Sequence, residues 1–162
     1  MTLTNGETTV SNLKDSTTKK VFIRGRFYGD KTLPSLNDAI REYSKHPKAG
    51  GRMKDDCKWI CIEAIRKWLK GYKVTNPPII LHYKFYEPNR GQKRDVMNIF
   101  SWADKCFEDA LTDCKVIEKD NPDWVINATH EFFYTDGEPY IEIEIEERGK
   151  KDAKGTEKVT VG

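Results

Sequence analysis

Residues 79–114 read IILHYKFYEPNRGQKRDVMNIFSWADKCFEDALTDC, and within them the apolar period changes once. From Ile79 to Glu87 the period is two. Ile79, Leu81, Tyr83 and Phe85 face one way, and Ile80, His82, Lys84 and Tyr86 the other, as in a strand. From Asn98 to Cys114 the period is that of a helix, with Ile99, Phe100, Ala103, Cys106, Phe107, Ala110, Leu111 and Cys114 on one face. Asn98, Lys105 and Asp109 fall on another face. The polar loop Pro88-Asn89-Arg90-Gly91-Gln92 joins the two and delivers Lys93-Arg94-Asp95 to the helix start.

Upstream, Lys19–Tyr28 alternates and reads as a strand of about ten residues, with Arg24 and Arg26 on its basic side. Ser35 is the expected N-cap of a helix over Leu36–Lys45, stopped by His46-Pro47. Ala49-Gly50-Gly51-Arg52 reads as a loop. A longer helix follows from Met53 to Tyr72, with a wet face of Lys54, Lys58, Arg66, Lys67 and Lys70. Downstream, Val116-Ile117 and Lys119-Asp120-Asn121-Pro122-Asp123 form a turn. Trp124–Tyr134 and Tyr140–Glu146 then read as two strands of a hairpin across Thr135-Asp136-Gly137-Glu138. The expected order is β-α-α-β-α-β-β, an α+β domain with a small mixed sheet of about four strands and helices packed on it. Residues 1–18 have almost no apolar content and are expected to be a flexible arm. Residues 19–147 form the single domain, and 148–162 a disordered basic tail.

At 162 residues the chain can bury a core without staples, and with 33% charged residues it presents wide polar surfaces. No apolar run reaches membrane-spanning length, and the first residues lack the basic-then-apolar order of a signal peptide, so the expected compartment is cytoplasmic. Cys57, Cys61, Cys106 and Cys114 contain no Cys-x-x-Cys pair, and His46, His82 and His130 are scattered. Buried thiols are expected, with no structural zinc. The net charge of +2 conceals a division: residues 1–100 carry 20 Lys+Arg against 10 Asp+Glu, and residues 101–162 carry 8 against 16. Such a surplus in one part suits a polyanion partner.

The junction at 93–98 places two basic residues, a carboxylate and an amide beside a helix start, with Lys105 along the helix and Asp120 beyond it. Metal-assisted phosphodiester chemistry needs that mixture. Bland readings stand beside it. Asp95 suits a helix N-terminus and Asp120 a turn before Asn121-Pro122. Lys105 suits a surface pair with Asp109, and Asn98 a cap.

Several motifs together resemble the RusA-type Holliday junction resolvases, in the versions found in phages and prophages. They are Leu33-Pro34-Ser35-Leu36-Asn37, Met53-Lys54 opening a long helix, and a strand ending Tyr86-Glu87, followed by Arg94-Asp95-x-x-Asn98. Next come Lys105-x-x-x-Asp109-Ala110-Leu111, Val116-Ile117 with Lys119-Asp120-Asn121, and the closing Ile-Glu-Ile-Glu-Ile. The resemblance covers roughly residues 20–147. It implies a homodimeric endonuclease that binds four-way DNA junctions and makes paired nicks with Mg²⁺ (Mn²⁺ as a substitute) held by aspartates. Carried over, Asp95 takes the first aspartate, Asn98 the asparagine, Lys105 the lysine and Asp120 the last aspartate. The catalytic set is then Asp95, Asp120 and Lys105, with Arg94, Lys93, Arg90, Asn98, Arg24, Arg26 and Lys54 toward DNA. Met97 stands where the family has a second aspartate, and a thioether is a poor ligand for a hard cation. Three outcomes follow: Glu118 or Asp104 supplies the missing oxygen, the site runs with fewer ligands and weaker metal affinity, or the chain binds junctions without cutting. A more distant alternative is a single-strand-binding module using Phe27, Tyr28, Tyr83 and Tyr86 as a stacking platform. Ile80, Trp59 and Trp102 are candidates for a dimer interface.

Overall fold

The computed structural model describes residues 18–150. The expectations for residues 1–17 and 151–162 lie outside that range. The elements are β1 (Thr18–Arg24), α1 (Leu36–Lys45), α2 (Pro47–Trp68), β2 (Ile79–Pro88), α3 (Val96–Asp113), β3 (Val125–Thr135) and β4 (Tyr140–Glu147). The order is the expected β-α-α-β-α-β-β, an α+β domain with a four-stranded mixed sheet.

Local chemistry sets the boundaries. β1 stops at Arg24 because Gly25 turns the chain at φ +126°, a conformation that L side chains rarely adopt. Ser35 caps α1 as expected: its hydroxyl accepts from Asp38 N–H (3.3 Å) while Asp38 Oδ2 accepts from Ser35 N–H (2.8 Å). The expected loop at 49–52 is instead helix. Pro47 occupies the first turn of α2, where its missing N–H costs nothing, and His46 Nδ1 accepts from Lys48 N–H at 3.0 Å. Gly50 has a packing reason rather than a turn reason, because a Cβ there would overlap the Tyr43 ring of α1. Thr18 already pairs with Glu146, and the Arg148 N–H donates to Pro78 O at 2.9 Å, so the ordered domain runs slightly past both expected limits.

The strand order is β1-β4-β2-β3. β2 and β3 run parallel, connected through α3, while β4 lies antiparallel between β1 and β2. This overturns the β3–β4 hairpin. The turn at 135–138 does form, with Gly137 N–H donating to Thr135 Oγ1 at 3.1 Å. It carries the chain over the end of β2, where Asn89 N–H donates to Thr135 O at 3.0 Å. Between two partners β4 buries its isoleucines on both flanks: Ile141, Ile143 and Ile145 stand opposite Phe85, Tyr83 and Leu81, and Ile141 and Ile143 also opposite Ile23 and Val21. A local hairpin would bury one flank only.

All three helices cover one sheet face, and the core between them joins Val21, Ile23, Leu81, Tyr83, Phe85, Phe107 and Leu111 with the β4 isoleucines. Trp102 belongs to it at 3% exposure, its indole N–H directed at Cys57 Sγ (3.4 Å), and Ile80 is buried too. Neither is therefore available to a dimer interface, whereas Trp59 is exposed. The four cysteines are free thiols, three buried and Cys114 half-buried. No described helix is long and apolar enough to cross a membrane.

Candidate functional site

Most of the basic residues singled out above gather at the end of the sheet where β2 feeds α3. Arg24 pairs with Tyr140, which pairs with Tyr86, so the end of β1, the start of β4 and the end of β2 lie side by side. A cleft of about 440 Å³ opens there, with Gln92, Lys93, Asp95 and Asn98 on one wall and Tyr28, Lys31, Ser35 and Arg41 on the other.

Inside this end the charges are already partnered. Arg94 donates bidentately to Glu87 (2.9 Å twice) and to Leu33 O (2.8 Å), and Asp38 lies 3.9 Å away. All three groups are nearly buried, so Arg94 is an internal clamp joining β2, the loop before α1 and the start of α3. The expectation that it grips a DNA backbone is corrected: its donors point inward. Burial alone would raise the Asp38 pKa, but the Ser35 N–H and hydroxyl, with Arg41 and Arg94, outweigh it and hold it below the ordinary value. Asp95 caps α3, its Oδ1 accepting from Met97 N–H (2.9 Å) and Asn98 N–H (3.3 Å). Lys93 reaches Asn89 Oδ1 at 3.2 Å and lies 4.2 Å from the Tyr134 ring. Arg26 is 4.0 Å from Glu138, and Arg90 is exposed in the loop. Lys54 sits apart on α2, 3.8 Å from Asp109 of α3.

Within one chain Asp95 and Asp120 are not brought together. Asp95 stands before the first residue of α3 and Asp120 beyond its last, where its charge acts on Glu108. Glu108 lies thirteen positions beyond Asp95 along the helix, roughly 20 Å at about 1.5 Å per residue.

A carboxylate group forms instead along the second half of α3. Glu108 lies one helical turn beyond Asp104, and Asp104 accepts from the buried Tyr83 hydroxyl at 2.8 Å. Burial first, then the Asp104 hydrogen bond and charge, then Asp120 and Asp109, push Glu108 up to about 9, so it keeps its proton at neutral pH. Burial and the Asp104 charge likewise hold the Tyr83 phenol well above its ordinary value, which keeps it a donor. Lys105, three residues before Glu108, is exposed. Its expected partner Asp109 is taken by Lys54. Glu118 is exposed on the loop before Asp120. Among the described residues no group of three or more His, Cys, Asp or Glu side chains is arranged to hold a metal ion.

No family model matches the chain, and no curated protein matches it.

Two members of this group went unread in the sequence. Glu108 lies with Met97, Ser101 and Asp104 at spacings of four, three and four, one stripe of the helix, and that spacing was the available signal. Tyr83 read correctly as core, but a buried phenol needs an acceptor, and the next helix carried it.

Proposed function

We propose that the chain is a Mg²⁺-dependent, structure-selective endonuclease that nicks branched DNA, with the four-way junction as substrate and a homodimer as working unit. The observation that carries this reading is the crowding of carboxyl groups along the second half of α3, where Glu108 lies one turn from Asp104, Asp104 is held by the Tyr83 hydroxyl, and the charge of Asp120 acts on Glu108. Carboxyl groups crowded until one cannot ionise form a place that a cation relieves. The donors suit a hard cation: all are oxygens, and Mg²⁺ keeps most of its waters and asks for only one or two carboxylates beside a phosphate. Asp104 and Asp120, whose charges both act on Glu108, would be the residues to hold it. Bound there, Mg²⁺ supplies polarisation of the phosphate and a lowered pKa for the attacking water.

The chain's own groups have separable parts. Tyr83 fixes Asp104 through its hydroxyl, so that carboxylate meets the substrate without reorganising. Lys105, exposed on α3 three residues before Glu108, would stabilise charge that develops on the phosphate. Lys93, Arg90, Arg26 and Arg24, at the cleft end of the sheet, contribute backbone-neutralising charge that positions DNA without reading its sequence. Asp95 shapes the cleft by capping α3.

A second reading, binding of junctions without cleavage, is favoured by one observation. Met97 is 53% exposed in the first turn of α3, so the position where the resemblance places an aspartate is open to solvent but carries no oxygen.

A labelled synthetic four-way junction incubated with Mg²⁺, Mn²⁺ or EDTA separates the readings. Symmetric nicks are expected with metal. They should vanish with EDTA and in Asp120→Asn and persist in Asp95→Asn, since asparagine caps a helix as well as aspartate. Unchanged nicking in Asp120→Asn would remove the carboxylate group from the reaction. Binding without nicking in the natural chain, with nicking gained in Met97→Asp, would establish the second reading. Absence of binding to any DNA would sink both.

A further inference from the structure

The charges of α2 divide into two flanks with different fates. On the flank facing α3, Lys54 and Lys58 are neutralised by Asp109 (3.8 Å) and Asp113 (2.9 Å). On the flank facing β1, Lys67 is in no ion pair among the described residues, and neither is Arg24 across the groove. Each lies beside an aromatic ring instead. The Arg24 guanidinium is 4.9 Å from the Phe22 ring, and the Lys67 ammonium 5.5 Å from the Trp68 ring.

The groove between β1 and α2 holds about 160 Å³, and its lining includes Phe22, Arg24, Phe27, Lys67 and Trp68, with Glu63 as the one carboxylate. Two of the rings stand well out of the protein, Phe27 at 53% and Trp68 at 40% exposure. They are held in place. The Phe27 ring lies against Gly25, where a Cβ would come within 3.3 Å of it, and Trp68 rests edge-on against Phe22 at 4.8 Å. The pattern continues over the shoulder of α2, where exposed Trp59 carries the Arg66 guanidinium 5.4 Å from its ring.

We propose that this groove binds single-stranded nucleic acid, at a surface separate from the Asp104–Glu108–Asp120 group. Rings fixed half out of the protein with cations between them match what an unpaired strand offers, which is a π-face on every base and a phosphate at every step. A second copy of the chain would set Arg24 and Lys67 against their own like and is the poorer fit. Duplex DNA keeps its bases stacked inside and offers the rings nothing. The inference does not rest on cleavage, so it stands or falls apart from the proposed nuclease.

The test titrates the full chain with a short labelled oligothymidylate in EDTA, reading anisotropy and tryptophan fluorescence, with a duplex of equal length as control. Quenching is expected on binding, with affinity that favours the single strand and falls with salt. Phe27→Ala should weaken binding roughly five- to hundredfold, the range for loss of one stacked base. Lys67→Glu should weaken it and lower the salt slope, whereas Lys45→Glu on α1 should change little. Phe27 and Lys67 are exposed, so both variants keep the fold, and circular dichroism checks this. Asp120→Asn should bind as the natural chain does even if nicking is lost. Equal affinity for single strand and duplex, or no change in Phe27→Ala and Lys67→Glu, would overturn the proposal. So would a concentration-dependent dimer that those variants dissolve while single-strand affinity stays, since that result assigns the groove to a second copy.

Discussion

The two halves of α3 carry similar residues to different ends. At its start Arg94 and Arg41 face Glu87 and Asp38, Asp95 accepts from two backbone N–H groups, and the cluster behaves as a joint between β2, α1 and α3. In its second half Asp104 and Glu108 lie one turn apart and the charge of Asp120 adds to theirs, which pushes Glu108 up to about 9. A cluster with every charge answered holds the fold together. The cluster of the second half is the place where the proposed cation would act.

Breaking the joint should give the largest effect. Arg94→Ala leaves Glu87 buried without its bidentate partner, a loss of about 3–5 kcal/mol typical of a broken buried pair. Urea unfolding would show it as a lowered midpoint at unchanged slope, and a change below about 1 kcal/mol would mean that the clamp is not the joint described. Asp95→Ala should cost about 1 kcal/mol through the lost cap while Asp95→Asn costs almost nothing, a difference readable by thermal unfolding. If both substitutions cost alike, the charge of Asp95 matters beyond capping, and the contrast between the two halves weakens.

The smallest effect sharpens the comparison most. Glu108 has a folded pKa of about 9 against 4.5 for the free group, so between those values the folded chain binds a proton that the unfolded chain has lost. Stability therefore falls as pH rises through that window. Glu108→Gln should remove the slope and leave the protein slightly more stable toward pH 9. Millimolar Mg²⁺ should flatten the slope of the natural chain in the same way. A slope untouched by Mg²⁺ would argue that nothing cationic belongs there.

The sheet order and the site were legible to different degrees in the sequence. Alternation in Ile79–Glu87 and Tyr140–Glu146 located β2 and β4, because an even period has one structural meaning when both flanks are so clearly apolar and polar. Ser35 announced α1 through a local hydrogen bond, which needs no tertiary information. The Thr135–Glu138 turn misled because a turn records only that the chain reverses, while the choice of neighbour belongs to the parallel β2–β3 pair made through α3. Gly50 and Gly51 looked like a loop for the same reason, since the Tyr43 ring that requires the first of them comes from another helix. For the site, the sequence reading singled out Asp120 and Lys105 and named Asp104 as a substitute oxygen, and the structure sets Asp104 and Asp120 where their charges act on Glu108. That reading also joined Asp95 to Asp120 and Lys105, since helix length enters a linear motif only as a number of residues, and that number here amounts to three and a half turns.

The strand at the heart of the sheet is the last one made. β4 lies between β1 and β2, so until residue 147 has left the ribosome the first strand of the domain has nothing to pair with, and β2 and β3 form a ribbon whose β2 edge lacks its partner. Folding therefore waits for the whole domain and closes over long stretches of chain, the kind of topology that forms slowly. A nascent or truncated chain ending before Tyr140 would carry that unprotected edge, and any factor that shelters apolar strands during synthesis would find it there.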